Sequence, residues 1–492
     1  MLEEKTYIAI DLGASNGRAM LGRFNGTTLV LEEVHRFPNG PVEEEDGLHW
    51  DAEGLFNEIK IGIGKAVAVA GDSVSSVGVD SWGVDYGLLG VDGKLIENPF
   101  NYRDSRTDGV PEEAFKRVSR DTIFEKTGIQ FMQINTLYQL MSDVLAENGK
   151  LERADCLLMM ADLFNYMLTG KKRNERTLAS TSQCFNPKTG TWAVDITDKL
   201  GIPSKIFPDI VEAGSILGKL LPEIAVETGA ENLSVIAVAS HDTASAVVAT
   251  PAEGEDFAYL SSGTWALLGT ELSEPIISTD CLRSNFTNES GAFGTIRLLR
   301  NATGLWVLQE CRRVWNEAGA NLSFDKIDSL IDAAEPFVAL IDPDAADFQS
   351  PGDMPARIRE YCRRTGQNVP DDKGVIARIA LESLALKCRF ALEQVEELAG
   401  IDAGTLHVVG GGTKNKLLNQ FVSNAIGRRV VAGPTEATAL GNVIVQMVAL
   451  GDLQSVEEGR ALIRRSFDME TYEPVGGDAW DAACERLKKI IE

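Results

Sequence analysis

The chain has 492 residues, 44% of them hydrophobic, with 47 Lys and Arg against 73 Asp and Glu and a formal net charge of −26. One hydrophobic core rarely grows beyond about 250–300 residues, so two or more domains are expected. The charge argues against nucleic acid and anionic membrane as partners, because its long-range field repels both; ATP stays open, since local amides and metal meet its phosphates.

The first residues, Met1-Leu-Glu-Glu-Lys-Thr6, carry no basic stretch and lead into an apolar run, so no secretory signal is read there. No apolar run approaches the ~18–20 residues of a membrane span. Seven scattered cysteines without a CxxC pair read as reduced thiols, and four histidines without paired spacing argue against a histidine-based metal site. These features point to a cytoplasmic protein.

In chain order, residues 8–11 and 18–24 are predicted strands joined by Gly13-Ala-Ser-Asn-Gly17, and residues 29–36 a third, after the hairpin signal Asn25-Gly26. Residues 55–70 carry apolar side chains at helical spacing. Residues 74–80 and 86–91 read as short strands, and 135–147 and 162–168 as helices. A strand from residue 235 switches to a helix of small residues at Ser240-His-Asp-Thr243. The charged stretch Pro251-Ala-Glu-Gly-Glu-Asp256 marks the expected boundary between domains 1–250 and 251–492. The second half reopens with a hairpin at residues 257–269. Helices follow at 303–317 and 374–399, then a strand at 406–409, Gly410-Gly-Gly-Thr-Lys-Asn415 and another helix. Strands alternating with helices, twice over, predict a duplicated α/β architecture.

The two hairpins carry the first chemical signal. Gly and Ser add no bulk, so backbone N–H groups in such loops approach an anion closely. Two of them half a chain apart suggest halves that face each other across one phosphate, and hence a nucleotide-dependent phosphotransferase. Asp11, at the end of the first strand, is placed to hold Mg²⁺ through water or to bond its own turn. Asp242 reads either as a helix N-cap or as a base at a strand's carboxyl end, where α/β sites sit. His241 suits a polyol hydroxyl or a polar pocket. Gly410-Gly-Gly-Thr413 permits close backbone approach to a nucleotide, or is a plain tight turn. Trp82 forms a sugar-pocket wall or belongs to the core; Arg103 and Arg106 bond hydroxyls or phosphate, or bridge to Asp104 and its neighbours. No Walker A or GxGxxG occurs.

Together these segments resemble the FGGY carbohydrate kinases, on the duplicated actin/Hsp70-type (ribonuclease H-like) ATPase fold with two domains around a central cleft. The resemblance covers essentially the whole chain. It rests on Gly78-Val-Asp-Ser-Trp-Gly-Val-Asp85, Tyr102-Arg-Asp-Ser-Arg106, Ser240-His-Asp-Thr243, Tyr259-Leu-Ser-Ser-Gly-Thr-Trp265 and Asn301-Ala-Thr-Gly-Leu-Trp306 with Gln309. It implies transfer of phosphate from ATP·Mg²⁺ to the 1-hydroxyl of a ketose, L-rhamnulose foremost, with L-fuculose, L-ribulose or D-xylulose as alternatives. An actin/Hsp70-like scaffold ATPase is the reading from another class. By the same resemblance Gly13, Ala14, Ser15, Asn16 and Gly17 wrap the phosphates and Asp11 lies near Mg²⁺. Asp242 is the base, and Trp82, Gly83, His241, Thr243 and Asn301, with Arg103 beside them, serve the sugar. Thr264 touches the γ-phosphate, and Gln309 and Gly411 hold the nucleotide. Asn16 and Lys414 depart from the residues common in relatives. Ketose and ATP are the expected partners, and a monomer or homodimer the expected state.

Overall fold

The computed structural model describes residues 4–254, 256–263 and 265–491. The chain forms two compact units: Met1–Glu253 joined by Glu271–Leu298 and Glu436–Phe467, and Gly254–Thr270 joined by Leu299–Thr435 and Asp468–Glu492.

In the first unit six strands lie in the order Ser215–Lys219, Ser234–Ala237, Val74–Ser81, Lys5–Leu12, Asn16–Phe24, Leu29–Pro38. The three in the middle explain the sequence pattern. Val74–Ser81 runs parallel to both Ser234–Ala237 and Lys5–Leu12, and a strand covered on both faces needs an unbroken apolar run rather than alternation. Tyr7, Ile8, Ala9, Ile10 and Leu12 are accordingly all fully buried. One face is covered by Ala52–Ala70, a helix whose Asp51 cap accepts from the Gly54 amide.

The other face carries two helices that meet backbone to backbone. Asp242–Val248 consists of small residues, and a Cβ on Gly441 of Ala437–Ala449 would stand 1.7 Å from the Ser245 carbonyl oxygen. Only glycine admits that approach. The run Thr-Ala-Ser-Ala after Asp242 is small for the same reason.

The second unit repeats the arrangement. Ala258–Ser262 pairs antiparallel with Trp265–Leu272 and parallel with Thr405–Val409, just as Lys5–Leu12 pairs antiparallel with Asn16–Phe24 and parallel with Val74–Ser81. Arg429–Ala432 and Glu470–Tyr472 extend this sheet, and the long helix Lys373–Ala399 packs beside Lys416–Ile426. Two predicted boundaries shift. The helix expected from residue 303 begins at Trp306, because Ile296–Thr303 continues as a strand. The strand expected to reach residue 91 ends at Leu89, where the turn around Gly93 takes over. All seven cysteines are buried and free, and no helix among the described residues is long and apolar enough to cross a membrane.

Candidate active site

In the first unit the site residues gather at the carboxyl ends of three parallel strands. Asp11 closes Lys5–Leu12 and faces Arg18 across the hairpin register. Arg18 bonds both Asp11 and Glu436, so one guanidinium serves two carboxylates. Burial raises the Asp11 carboxyl above its ordinary range; Arg18 opposes that, while the charges of Asp242 and Glu436 add to it.

The turn after Asp11 is held by its own backbone and by Asn39. The Gly13 amide donates to the Asn16 carbonyl at 2.9 Å, Asn39 Nδ2 donates to the Gly13 carbonyl at 2.7 Å, and the Asn39 amide to the Ser15 carbonyl at 3.2 Å. Ala14 packs against the core. Gly17 is required sterically, since a Cβ there would lie 2.3 Å from the Phe37 ring. Asn16, the departure noted above, accepts from Arg36 through its side-chain oxygen at 3.3 Å.

The other two strand ends are stitched together. The Ser81 amide donates to the Ser240 carbonyl at 2.8 Å, which sets Trp82-Gly83 beside His241-Asp242. Asp242 is the first residue of its helix, with His241 at the cap position, so the N-cap reading fails. Both of its hydrogen bonds, from the Thr243 amide at 2.5 Å and the Thr243 hydroxyl at 3.1 Å, fall on Oδ1. Its side chain is 31% exposed.

His241 is fixed from behind. Its amide donates to Thr177 Oγ1 at 3.1 Å, and the Ser240 amide to Glu175 Oε2 at 3.0 Å. Glu175 also accepts from the Thr177 and Leu178 amides. Burial still outweighs these donors and moves the Glu175 carboxyl up to about 7. The fully buried Arg297 places Nη2 3.0 Å from His241 Nδ1 and 3.0 Å from Glu289 Oε2. Glu289 Oε2 also lies 3.2 Å from Nδ1, and Nε2 lies 3.4 Å from Asp242 Oδ1. Burial works against the Glu289 carboxylate, yet Arg297 and His241 hold it below the usual range.

Trp82 is buried. Its ring stacks on Trp50 with centroids 4.2 Å apart, and its indole N–H donates to Asp85 Oδ2 at 3.0 Å. Asp85, also fully buried, accepts from Trp50 Nε1 at 2.6 Å, the Tyr102 amide at 3.2 Å and Gln139 Nε2 at 2.9 Å. Between Gly83 and Asp85 the backbone is strained: Val84 has φ 69°, and the Asp85 amide donates back to the Gly83 carbonyl at 2.9 Å. A β-branched residue in this positive-φ γ-turn costs about 1–3 kcal/mol. Thr181 Oγ1 accepts from the Val84 amide at 3.0 Å, and Thr136 Oγ1 donates to its carbonyl at 2.5 Å. Arg103 is exposed, 5.3 Å over the Tyr102 ring. Arg106 does not bridge to Asp104: it bonds Gln139 at 2.9 Å and lies 3.4 Å from Asp143, while Asp104 caps its own turn.

In the second unit Gly411 opens the turn Gly411–Lys414 directly after strand Thr405–Val409. A Cβ on Gly412 would stand 2.2 Å from Ser262 Oγ, so the glycine turn lies flush against the second hairpin. Gln309 sits in the first turn of helix Trp306–Glu317, and Asn301 near the end of strand Ile296–Thr303. Thr264 lies outside the described residues.

Two family models match nearly end to end: "FGGY family of carbohydrate kinases, N-terminal domain" over residues 6–249 and the corresponding C-terminal domain over 258–450. A rhamnulokinase of Bacteroides thetaiotaomicron is 46% identical over 490 residues, 99% of this chain and 100% of that protein. The chain belongs to the FGGY family of carbohydrate kinases. A rhamnulokinase of Ligilactobacillus salivarius is 41% identical, with 96% of each chain covered. Among solved structures, gluconate kinase and ligand-bound xylulose kinase, both from Lactobacillus acidophilus, each superpose with TM-score 0.83 at 17% identity over 99% of this chain and 98% and 97% of theirs, respectively. At that identity the likeness concerns the fold, which is the duplicated actin/Hsp70-type ATPase fold. The protein is thus a sugar kinase, an ATP phosphotransferase.

The structure brings Asp11, Trp82, Gly83, His241, Asp242 and Thr243 to one edge of the first unit's sheet; in the second unit Gly412 abuts the hairpin, while a Cβ on Gly411 would meet nothing within 4 Å. Sequence reading passed over Asp80, Asp85, Glu175, Glu289 and Arg297. Asp80 and Asp85 lie inside a motif already singled out, and the alignment of two strand ends would have drawn Asp80 in beside Asp11. Glu175 and the Glu289–Arg297 pair carry no local signal, since only the fold brings them to His241.

Proposed function

We propose that this kinase transfers the γ-phosphoryl group of ATP to the 1-hydroxyl of L-rhamnulose, with Asp242 as the general base and Mg²⁺ as the cation. The observation that carries the mechanism is Asp242 itself. It stands at the carboxyl end of a parallel strand, is partly exposed, and receives both hydrogen bonds on Oδ1. Oδ2 then accepts the proton of the 1-hydroxyl as that oxygen attacks phosphorus in line and ADP departs; the proton leaves Asp242 after product release. The choice of sugar follows the two rhamnulokinases at 46% and 41% identity.

Gly83, His241 and Thr243 bind the ketose in this reading. Trp82 closes the pocket from within, and Arg103 and Asn301 add polar groups. The Gly13–Gly17 turn, Thr264, Gln309 and Gly411 serve the nucleotide. We assign 1–250 as the sugar- and base-bearing domain and 251–492 as the nucleotide domain, in a cytoplasmic monomer or homodimer. The donors at Asp11 suit Mg²⁺, which prefers hard carboxylate oxygens and retains water. The unpartnered buried oxygen of Asp80 beside it fits a site for a hydrated cation. A cation held there would supply positive charge to the phosphates.

The test is ADP release from ATP·Mg²⁺ with L-rhamnulose, L-fuculose, L-ribulose, D-xylulose and glycerol. A kcat/KM for L-rhamnulose about tenfold or more above the others is expected, the 1.4 kcal/mol that one displaced hydroxyl readily supplies. A different winner overturns the substrate assignment, and sugar-independent hydrolysis overturns the phosphotransfer reading.

A further inference from the structure

Asp80 enters above only through its unpartnered oxygen beside Asp11, with no role of its own. It faces Asp11 in the parallel register of the two strands. Its Oδ2 accepts from Asn442 Nδ2 at 2.6 Å; Gln446 Nε2 holds the Asn442 oxygen at 2.7 Å, and Ser76 Oγ donates to Gln446 Oε1 at 2.7 Å. Every member of this chain is buried. Oδ1 of Asp80 is different: it is buried and has no hydrogen-bond partner.

A carboxylate oxygen left in that state costs about 1–3 kcal/mol, and a core that needed only packing would hold an apolar residue here. The groups whose charge Asp80 feels are chiefly two more carboxylates, Asp11 and Asp242, with Arg18 the nearby cation. Arg18 is already spent on Asp11 and Glu436. The network from Ser76 to Asn442 orients one oxygen of Asp80 and leaves the other free, at a point short of positive charge.

We infer that Asp80 is a further carboxylate of the divalent-cation site, its Oδ1 accepting a hydrogen bond from a water of the hydrated cation. This rests on the reading of Asp11 as the cation residue. Asp80 then acts through water, as Mg²⁺ sites with few direct protein ligands commonly do.

The experiment follows free Mn²⁺ by electron paramagnetic resonance while it is titrated into the full chain saturated with ADP, for wild type, Asp80→Asn and Asp11→Asn. Asp80→Asn keeps the shape and the bonding capacity toward Asn442; a circular dichroism spectrum and melting temperature matching wild type qualify it, and Asp80→Ser replaces it if it does not fold. Loss of one outer ligand is expected to weaken Mn²⁺ about tenfold or more, with metal-free ADP affinity unchanged within about twofold. Unchanged Mn²⁺ affinity in the Asp80 variant, with loss in Asp11→Asn, overturns this inference and leaves the cation reading standing. Unchanged affinity in both overturns the cation reading and the inference with it.

Discussion

Asp85 offers the sharpest test of how the sugar-side wall is held. Burial moves its carboxyl up from 3.8 to about 6 against the pull of the Gln139, Trp50, Trp82 and Tyr102 donors. A folded-state value above the unfolded one means that the native protein binds the proton more tightly. Stability from this group is therefore full below about pH 4 and is lost as pH rises through 6. The separation of the two values corresponds to about 3 kcal/mol, of which about 2 kcal/mol falls between pH 4.5 and 7.5. Asp85→Asn removes the titration. Its oxygen can keep the bonds from Trp50, Trp82 and Tyr102, while its amide meets the Gln139 amide and forfeits that bond. Urea unfolding followed by tryptophan fluorescence, run on both proteins at pH 4.5, 5.5, 6.5 and 7.5, isolates the group, because all other titrations cancel in the difference. Wild type should lose about 2 kcal/mol relative to the variant across that range. A difference that stays flat with pH, or grows in wild type's favour as pH rises, would refute the assignment of a burial-dominated carboxyl.

Asp242→Asn should lower kcat by roughly 10²–10⁴ with both KM values nearly unchanged; near-normal turnover in a folded variant removes it as the base. Trp82→Ala should raise KM for the ketose well beyond KM for ATP, and should cost about 3–5 kcal/mol of stability for the buried indole; equal KM changes would make it a core residue alone. In Gly412→Ala the new methyl meets Ser262 Oγ at 2.2 Å. ATP binding measured by calorimetry should weaken about tenfold while ketose binding holds, since overpacking typically costs 1–3 kcal/mol. An unaltered ATP affinity would show that this turn does not touch the nucleotide.

The fold was legible because its signals are local. A run such as Tyr7-Ile-Ala-Ile needs cover on both faces, and a small-residue turn between two strands is visible without knowing what lies opposite. Asp242 was found because a strand-to-helix switch places it, yet whether it capped the helix could not be read: that turns on one backbone conformation, and His241 takes the cap position. The strained turn at Val84 was illegible, since nothing in Trp-Gly-Val-Asp announces a positive φ on a β-branched residue. Its support comes from Thr136, Gln139 and Thr181, dozens of residues away. Arg106 was matched to the wrong acid for a related reason: sequence neighbours suggested Asp104, while the fold supplies Asp143.

Among the carboxylates that the first unit buries at or near this site, the donors received by Asp11, Asp80, Asp85 and Glu175 separate their uses. Burial raises Asp11, Asp80, Asp85 and Glu175 alike. Asp85 and Glu175 are surrounded by N–H groups, and what they fix is backbone and indole position: Asp85 ties Trp50, Trp82 and Tyr102 to one oxygen, and Glu175 ties down Ser240 and, through Thr177, His241. Each thus ends one step short of a residue proposed to meet the sugar. Asp11 and Asp80 are supplied differently, one with a guanidinium shared with Glu436 and the other with a single amide and an empty oxygen. Asp85 and Glu175, which scaffold, are satisfied within the protein, whereas Asp11 and Asp80 are left with fewer donors, which a cation would complete. Removing a scaffold acid should therefore act on stability and on ketose KM, and removing a cation acid on metal affinity, with little exchange between the two effects.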